Sequence, residues 1–257
     1  MYNLTDFQHP RDNQFASEIM NSAVTKNILD NLHKTNLESL YIYLYKSSCP
    51  QLTEKTAPEL FNLLVKACNM FGLKKIPQVF VTRNYDERVS ALGVNEPFLV
   101  FSSEYLRKLN GDMLFGVLAG QVAAILCQHH TILYLTWGID FASGLIPGGS
   151  LVVAPMINNW KRCRYFTYDR AFCLATKNRA LALRQVLVNV LPADILDNMK
   201  IGLPQDNFIA QVDKFMNNVA ADTAQVGFRK VITMFSEKDW LPERYSEINK
   251  FCDERRI

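Results

Sequence analysis

The chain has no C-x-x-C pair, no internal repeat, no low-complexity linker and no clean apolar span of about 20 residues. Each absence removes a class of protein. The six cysteines (Cys49, Cys68, Cys127, Cys163, Cys173 and Cys252) are scattered, mostly in segments that read as helices. A disulfide framework is therefore not expected, whereas a reducing intracellular compartment, cytoplasm or organelle interior, is. The start, MYNLTDFQHPRD, has no apolar h-region and no Arg-rich amphipathic pattern, so no signal or transit peptide is expected there. A formal charge of +3 spread over 257 residues is too weak to imply nucleic acid. The local group Lys161, Arg162, Arg164 and Arg170 reads as a solvated face. What is present is apolar mass: 49% hydrophobic residues suffice for one large core, so 1–257 reads as a single domain.

Between Met113 and Asn159 the only formal charge is Asp140. Gln121, Gln128, His129 and His130 interrupt the first half of that run, and Gly144, Pro147, Gly148 and Gly149 the second. Buried core helices are the expectation. Membrane attachment through a hairpin over 131–157 is the alternative.

Periodicity predicts an amphipathic helix over 13–33, through Phe15, Ile19, Val24, Ile28 and Leu32. SLYIYLYK (39–46) is rich in strand formers and reads as a strand. Thr56 to Glu59 forms a capping-box pattern, and Gly72 closes the helix that follows. QVFVTR (78–83) and PFLVFS (97–102) read as strands, with Gly93 available for a turn. Asn110-Gly111-Asp112 reads as a turn followed by an N-cap, launching a helix over about 113–135. Helices are expected from about 150 into the 170s, near 177–191, near 205–220, and at the end, where Pro242 opens a charged segment. The order is α+β with helices dominating.

The block DMLFGVLAGQVAAILCQHH (112–130) and the later RYFTYDRA (164–171) carry a resemblance. Together with His9-Pro10-Arg11-Asp12 and ALGVNEPFLVFSS (91–103), they are similar to segments of the HtpX-like zinc metallopeptidases, the group that includes the prenyl-protein (CAAX) proteases. The resemblance covers about 9–190 and leaves 191–257 as a helical C-terminal part. It implies a zincin-like domain whose active-site helix carries V-L-A-H-E-x-x-H, with the third zinc ligand in an E-x-x-x-D-R-A segment. Val117-Leu118-Ala119 match the lead-in, His129 matches a trailing non-ligand histidine, and Asp169, Arg170 and Ala171 are retained. Gly120, Gln121 and Ala124 then stand where the family has His, Glu and His, and Tyr165 stands where it has Glu.

These departures carry the functional expectation. A catalytic zinc needs about three protein ligands, and a hydrogen, a methyl and a phenol replace them here. Gln121 has no titratable proton near neutral pH and cannot activate water. On a continuous helix His129 and His130 lie off the old ligand face, whereas Cys127 returns to it and could join Cys163 or Cys173 in a thiolate site; no metal or other cofactor is expected. Tyr165 is the obvious filler for the vacated volume. The expectation is a pseudoenzyme acting as an interaction, scaffold or accessory subunit of a larger assembly, with a protein partner. Two alternatives stand beside it. One is a peptide-binding module using Phe98, Leu99, Val100 and Phe101 as an open edge strand; the other is an active peptidase with a non-standard metal site.

Overall fold

The computed structural model describes residues 1–83, 88–143, 154–189, 214 and 241–257. Apart from Lys214, the helix expected near 205–220 lies outside them, as does the glycine-rich break at 144–149. The described chain is mostly helical with one small mixed sheet, an α+β arrangement. The N-terminal helices are α1 (Leu4–Phe7), α2 (Pro10–Asn21), α3 (Ala23–Lys34) and α4 (Leu37–Ser48), followed by β1 (Gln51–Leu52) and α5 (Pro58–Phe71). Then come β2 (Gln78–Thr82), β3 (Val89–Leu92), β4 (Phe98–Ser102), α6 (Ser103–Leu106), α7 (Gly111–Leu126) and α8 (His129–Ser143). The rest is α9 (Ala154–Thr176), α10 (Arg179–Val188) and α11 (Leu241–Arg255).

Several local signals act as the sequence suggests. An N-cap launches α7, although it is Asn110 itself, accepting from the Met113 N–H at 3.0 Å, and Gly111 and Asp112 belong to the first helical turn instead of a preceding turn. Gly72 ends α5 in the left-handed region at φ +80°, a conformation that costs glycine little. Pro242 stands in the first turn of α11.

Four boundaries are corrected. The helix expected over 13–33 is two helices, because Ser22 takes an extended conformation at ψ 132°. The capping box at Thr56 does not form. Pro58 pushes Ala57 out of the helical region to φ −146°, and Thr56 turns back to Thr53 instead. The helix expected over 113–135 breaks at Gln128 (φ +58°), and α8 leaves α7 at a bend of 75°. Among the described residues no single helix is long and apolar enough to cross a membrane, although α7 and α8 together pass by composition.

The fourth correction is 39–46, which is helical. Tyr41 is buried and Tyr45 lies one turn on; they meet at 5.4 Å, and Tyr41 also packs against Tyr134 and Trp137 of α8. That i, i+4 packing overrides strand propensity. Glu38 pins the same helix by accepting from the Val94 and Asn95 backbone N–H groups at 3.2 and 3.0 Å.

The sheet order is β1-β2-β4-β3, with β4 parallel to β2 and antiparallel to β3. One sheet face (Val79, Ala91, Leu99, Phe101) joins the main core with α5 and α7; the other (Phe80, Leu92, Phe98, Val100) packs under Tyr41 and Tyr134. All five residues of β4 are buried, which is why PFLVFS reads as an unbroken apolar run.

Helix α7 is buried through almost all its length and packs most extensively against α9. Two glycines one turn apart permit the approach. A Cβ at Gly116 would lie 2.4 Å from the ring of Phe172, and one at Gly120 would lie 3.3 Å from the backbone oxygen of Tyr168. Gly116→Ala is therefore expected to destabilise the fold by about 1–3 kcal/mol despite alanine's better helix propensity. Urea denaturation checks this; an unchanged or raised midpoint would show that Phe172 yields freely.

Candidate functional site

Gly116 and Gly120 of α7 face Tyr165, Tyr168 and Asp169 of α9, and together with Gln121 they line a small cleft of about 40 Å³. Val89 and Arg88 lie at one wall and Arg244 of α11 at another. Gln185, on the α10 side, donates to the Tyr105 hydroxyl at 3.1 Å. Of the five positions singled out in the sequence, Gly120, Gln121, Tyr165 and Asp169 converge here. Ala124, one turn past Gly120, is buried in the core outside the lining.

Tyr165 does not fill the space beside Gly120. The group against Gly120 is Tyr168, through its Cβ and its backbone. The Tyr165 ring is half-buried at the wall, with the guanidinium of Arg244 at 4.9 Å and that of Arg164 at 5.0 Å from its centroid. A cleft therefore persists where sequence volumes alone suggested a plug. Asp169 is held by Arg244 in a two-pronged ion pair: Nε donates to Oδ2 at 2.8 Å and Nη2 to Oδ1 at 2.6 Å, with both side chains almost fully buried.

The basic group on α9 is also not one solvated face. Arg164 is 2% exposed and lines the cleft, whereas Arg170 lies over Phe251 and 4.0 Å from Glu247. Helical spacing explains the split, since residues 164 and 170 point to different sides of α9.

His129 lies off the cleft, at the start of α8 just past the bend at Gln128. Its Nε2 stands 3.0 Å from Oδ2 of Asp12, both groups inaccessible to solvent, and its Nδ1 lies 3.2 Å from the Tyr168 hydroxyl. The contact to Asp12 falls short of a straight N–H···O bond, so it is an ion-pair approach more than a directed hydrogen bond. Thr167 donates to the same carboxylate oxygen. A second linkage joins the chain ends: His9 caps α2 by accepting from the Arg11 N–H and meets Glu247 of α11 at 3.0 Å. Sequence reasoning placed His9 to Asp12 in a motif without assigning these roles, and Arg244 carried no signal at all.

The cysteine alternative does not assemble. Burial pushes the Cys163 thiol up to about 11 and the Cys127 thiol higher still, against formation of metal-binding thiolates. The described residues contain no group of three or more His, Cys, Asp or Glu placed to hold a metal ion.

The edge-strand reading of Phe98, Leu99, Val100 and Phe101 is corrected. These residues pair on both sides, Leu99 for example with Val79 and with Ala91. In the described sheet the terminal strands are β1, of two residues, and β3, whose Ser90, Ala91 and Leu92 are buried. An extended peptide cannot add to β4.

Acid response follows from the buried groups. Desolvation drives His130 from the ordinary 6.5 to about 4, helped by neighbouring His129 and opposed by the Val94 backbone. The unfolded chain then takes up this proton before the folded one, so the contribution of neutral His130 is complete above pH 6.5 and is lost down to pH 4. The loss is on the order of 2–3 kcal/mol. Burial raises the Asp12 carboxyl, but the nearby His129 ring and the Thr167 hydrogen bond outweigh it and hold it below its ordinary value of 3.8. The His9 hydrogen bond likewise lowers Glu247. Their contributions are present above the ordinary carboxylate range and vanish as pH falls through the depressed values. His130→Gln is expected to flatten the first stage and leave the second. Urea midpoints between pH 7 and pH 5 test this; parallel curves for the two chains would contradict it.

Comparison with protein-family models, with curated proteins and with solved structures found no match to this chain.

Proposed function

We propose that this protein is a catalytically inactive homologue of the HtpX-like zinc metallopeptidases whose role is interaction, as a scaffold or accessory subunit of a larger assembly. The observation that carries the reading is convergence. Gly120 and Gln121 on α7 meet Tyr165 and Asp169 on α9 at one cleft, as the family's ligand-bearing and base-bearing positions must, yet they bring no imidazole and no free carboxylate. Asp169 is committed to Arg244, and the amide of Gln121 offers no proton-transfer group near neutral pH.

An interaction role also draws support from the surface. Leu40, Tyr43 and Leu44, at i, i+3 and i+4 of α4, are 42%, 66% and 48% exposed. They form one apolar stripe on the molecule's outside, of a kind enriched at protein contacts.

The catalytic half of the proposal is tested by equilibrium dialysis against Zn²⁺ and by incubation with an unfolded polypeptide. No stoichiometric zinc and no chelator-sensitive cleavage are expected. Stoichiometric zinc together with cleavage that Gln121→Ala abolishes would overturn it.

A further inference from the structure

We infer that Cys173 and Cys252 are a peroxide-responsive thiol pair whose disulfide staples α11 to α9. Both thiols are free and fully buried, and they hydrogen-bond to each other where the two helices pack. Sulfurs already in contact reach the covalent separation of about 2 Å through side-chain rotation and a slight approach of the helices. Arg179, at the start of α10, brings its guanidinium to the same Cys252 thiol while binding the Asp253 carboxylate and the Ile257 carbonyl. Cys252 sits in the last turn of α11, beside Arg179 and Asp253, whose side chains are 37% and 67% exposed. Solvent is therefore one side chain away, and fraying of that turn admits a molecule as small as peroxide.

The surroundings divide the roles. The hydrogen bond from Cys173 and, against burial, the charge of Arg179 hold the Cys252 thiol below its ordinary value. The same hydrogen bond and burial push Cys173 up. Cys252 is the nucleophile and Cys173 the resolving thiol. The Cys252 thiolate attacks one oxygen of hydrogen peroxide, the O–O bond breaks, and hydroxide leaves to recombine with the proton that Cys252 released. The Cys173 sulfur then attacks the resulting sulfenic sulfur; the S–O bond breaks, and the hydroxyl departs as water with the Cys173 proton. Each sulfur gives up one electron and the peroxide takes two, so two thiols and one peroxide become one disulfide and two waters. Thiol reductants reverse the bond, which suits a reducing compartment, where disulfides are transient and sensing. Arg244 and Glu247 share α11 with Cys252, so the staple fixes the helix that forms one wall of the α7/α9 cleft and holds His9. The inference rests on the thiol pair and not on membership of an assembly.

The experiment treats the reduced full chain with a small excess of hydrogen peroxide, counts free thiols after denaturation, and maps crosslinks by mass spectrometry of a tryptic digest. Loss of two of the six thiols is expected, restored by dithiothreitol, with the fragments Ala171–Lys177 and Phe251–Arg255 joined. The urea midpoint of the oxidised chain is expected to lie above that of the reduced chain, because the bond restricts the unfolded state. Cys252→Ser is expected to slow peroxide consumption by about tenfold or more, since Cys173 alone lacks the thiolate character to react. Cys173→Ser is expected to stop at a sulfenic acid that dimedone traps on residue 252. The fragment map on the unaltered chain keeps the test decisive if either variant fails to fold. Six thiols surviving the treatment, crosslinks that join other cysteines or two chains, or a lowered midpoint on oxidation would overturn the inference.

Discussion

Arg244→Leu is expected to lower the unfolding free energy by about 3–5 kcal/mol. Arg244 is 2% exposed and holds Asp169, itself 5% exposed, through two charge-assisted hydrogen bonds. Removing the guanidinium leaves a carboxylate in the interior with its strongest partner gone, and the cost of that uncompensated charge exceeds the value of the pair itself. The effect reaches beyond one bond because Arg244 anchors α11 to α9, next to Tyr245, whose hydroxyl donates to the Leu183 carbonyl at 2.9 Å. Asp169→Leu in the Arg244→Leu background is expected to recover most of the loss, since two apolar groups need no partner. Urea denaturation of the single and double variants provides the check. A loss below about 1 kcal/mol in the single variant would place the pair among surface-like contacts.

The second large effect concerns restoring a zinc site. Gly120→His is expected to destabilise the chain by about 2–3 kcal/mol even without metal. Its Cβ alone would stand 3.3 Å from the Tyr168 Cβ and backbone oxygen, and an imidazole must extend beyond that point toward α9. Ala124→His places a second ring into a position 1% exposed. The four changes Gly120→His, Gln121→Glu, Ala124→His and Tyr165→Glu together are expected to abolish the cooperative unfolding transition, and added zinc is not expected to rescue it. Circular dichroism melts with and without Zn²⁺ test this. A folded, zinc-stabilised quadruple variant would mean that α7 and α9 keep room for the ion.

The same close approach explains what the sequence could and could not disclose. Asn110, Gly72 and Pro242 act through their own backbone neighbourhoods, so the helix ends they mark were legible. Gly120, Gln121, Ala124, Tyr165 and Asp169 stood out only through the family resemblance of their segments, and all but Ala124 line one cleft. Contacts that depend on distant partners were not legible. Tyr168, not Tyr165, is the group beside Gly120, and Phe172, one turn further along α9, stands against Gly116. The strand at 97–102 was found, but its continuous apolar character was the sign of a strand buried on both faces, not of an open edge. Segment 39–46 misled because tyrosine and isoleucine favour strands, while the i, i+4 seating of Tyr41 and Tyr45 decided for a helix. Asp12 and His129, 117 residues apart in number, had no local pattern to join them.

Membership of a larger assembly is the proposed role of this chain, and the native mass of the endogenous protein is its sharpest test. The expected result is a stoichiometric complex much larger than the 29.4 kDa chain, from which a variant carrying Tyr43→Glu and Leu44→Glu on the exposed stripe of α4 dissociates while remaining folded. A lone species of 29.4 kDa, unchanged by those substitutions, would contradict it.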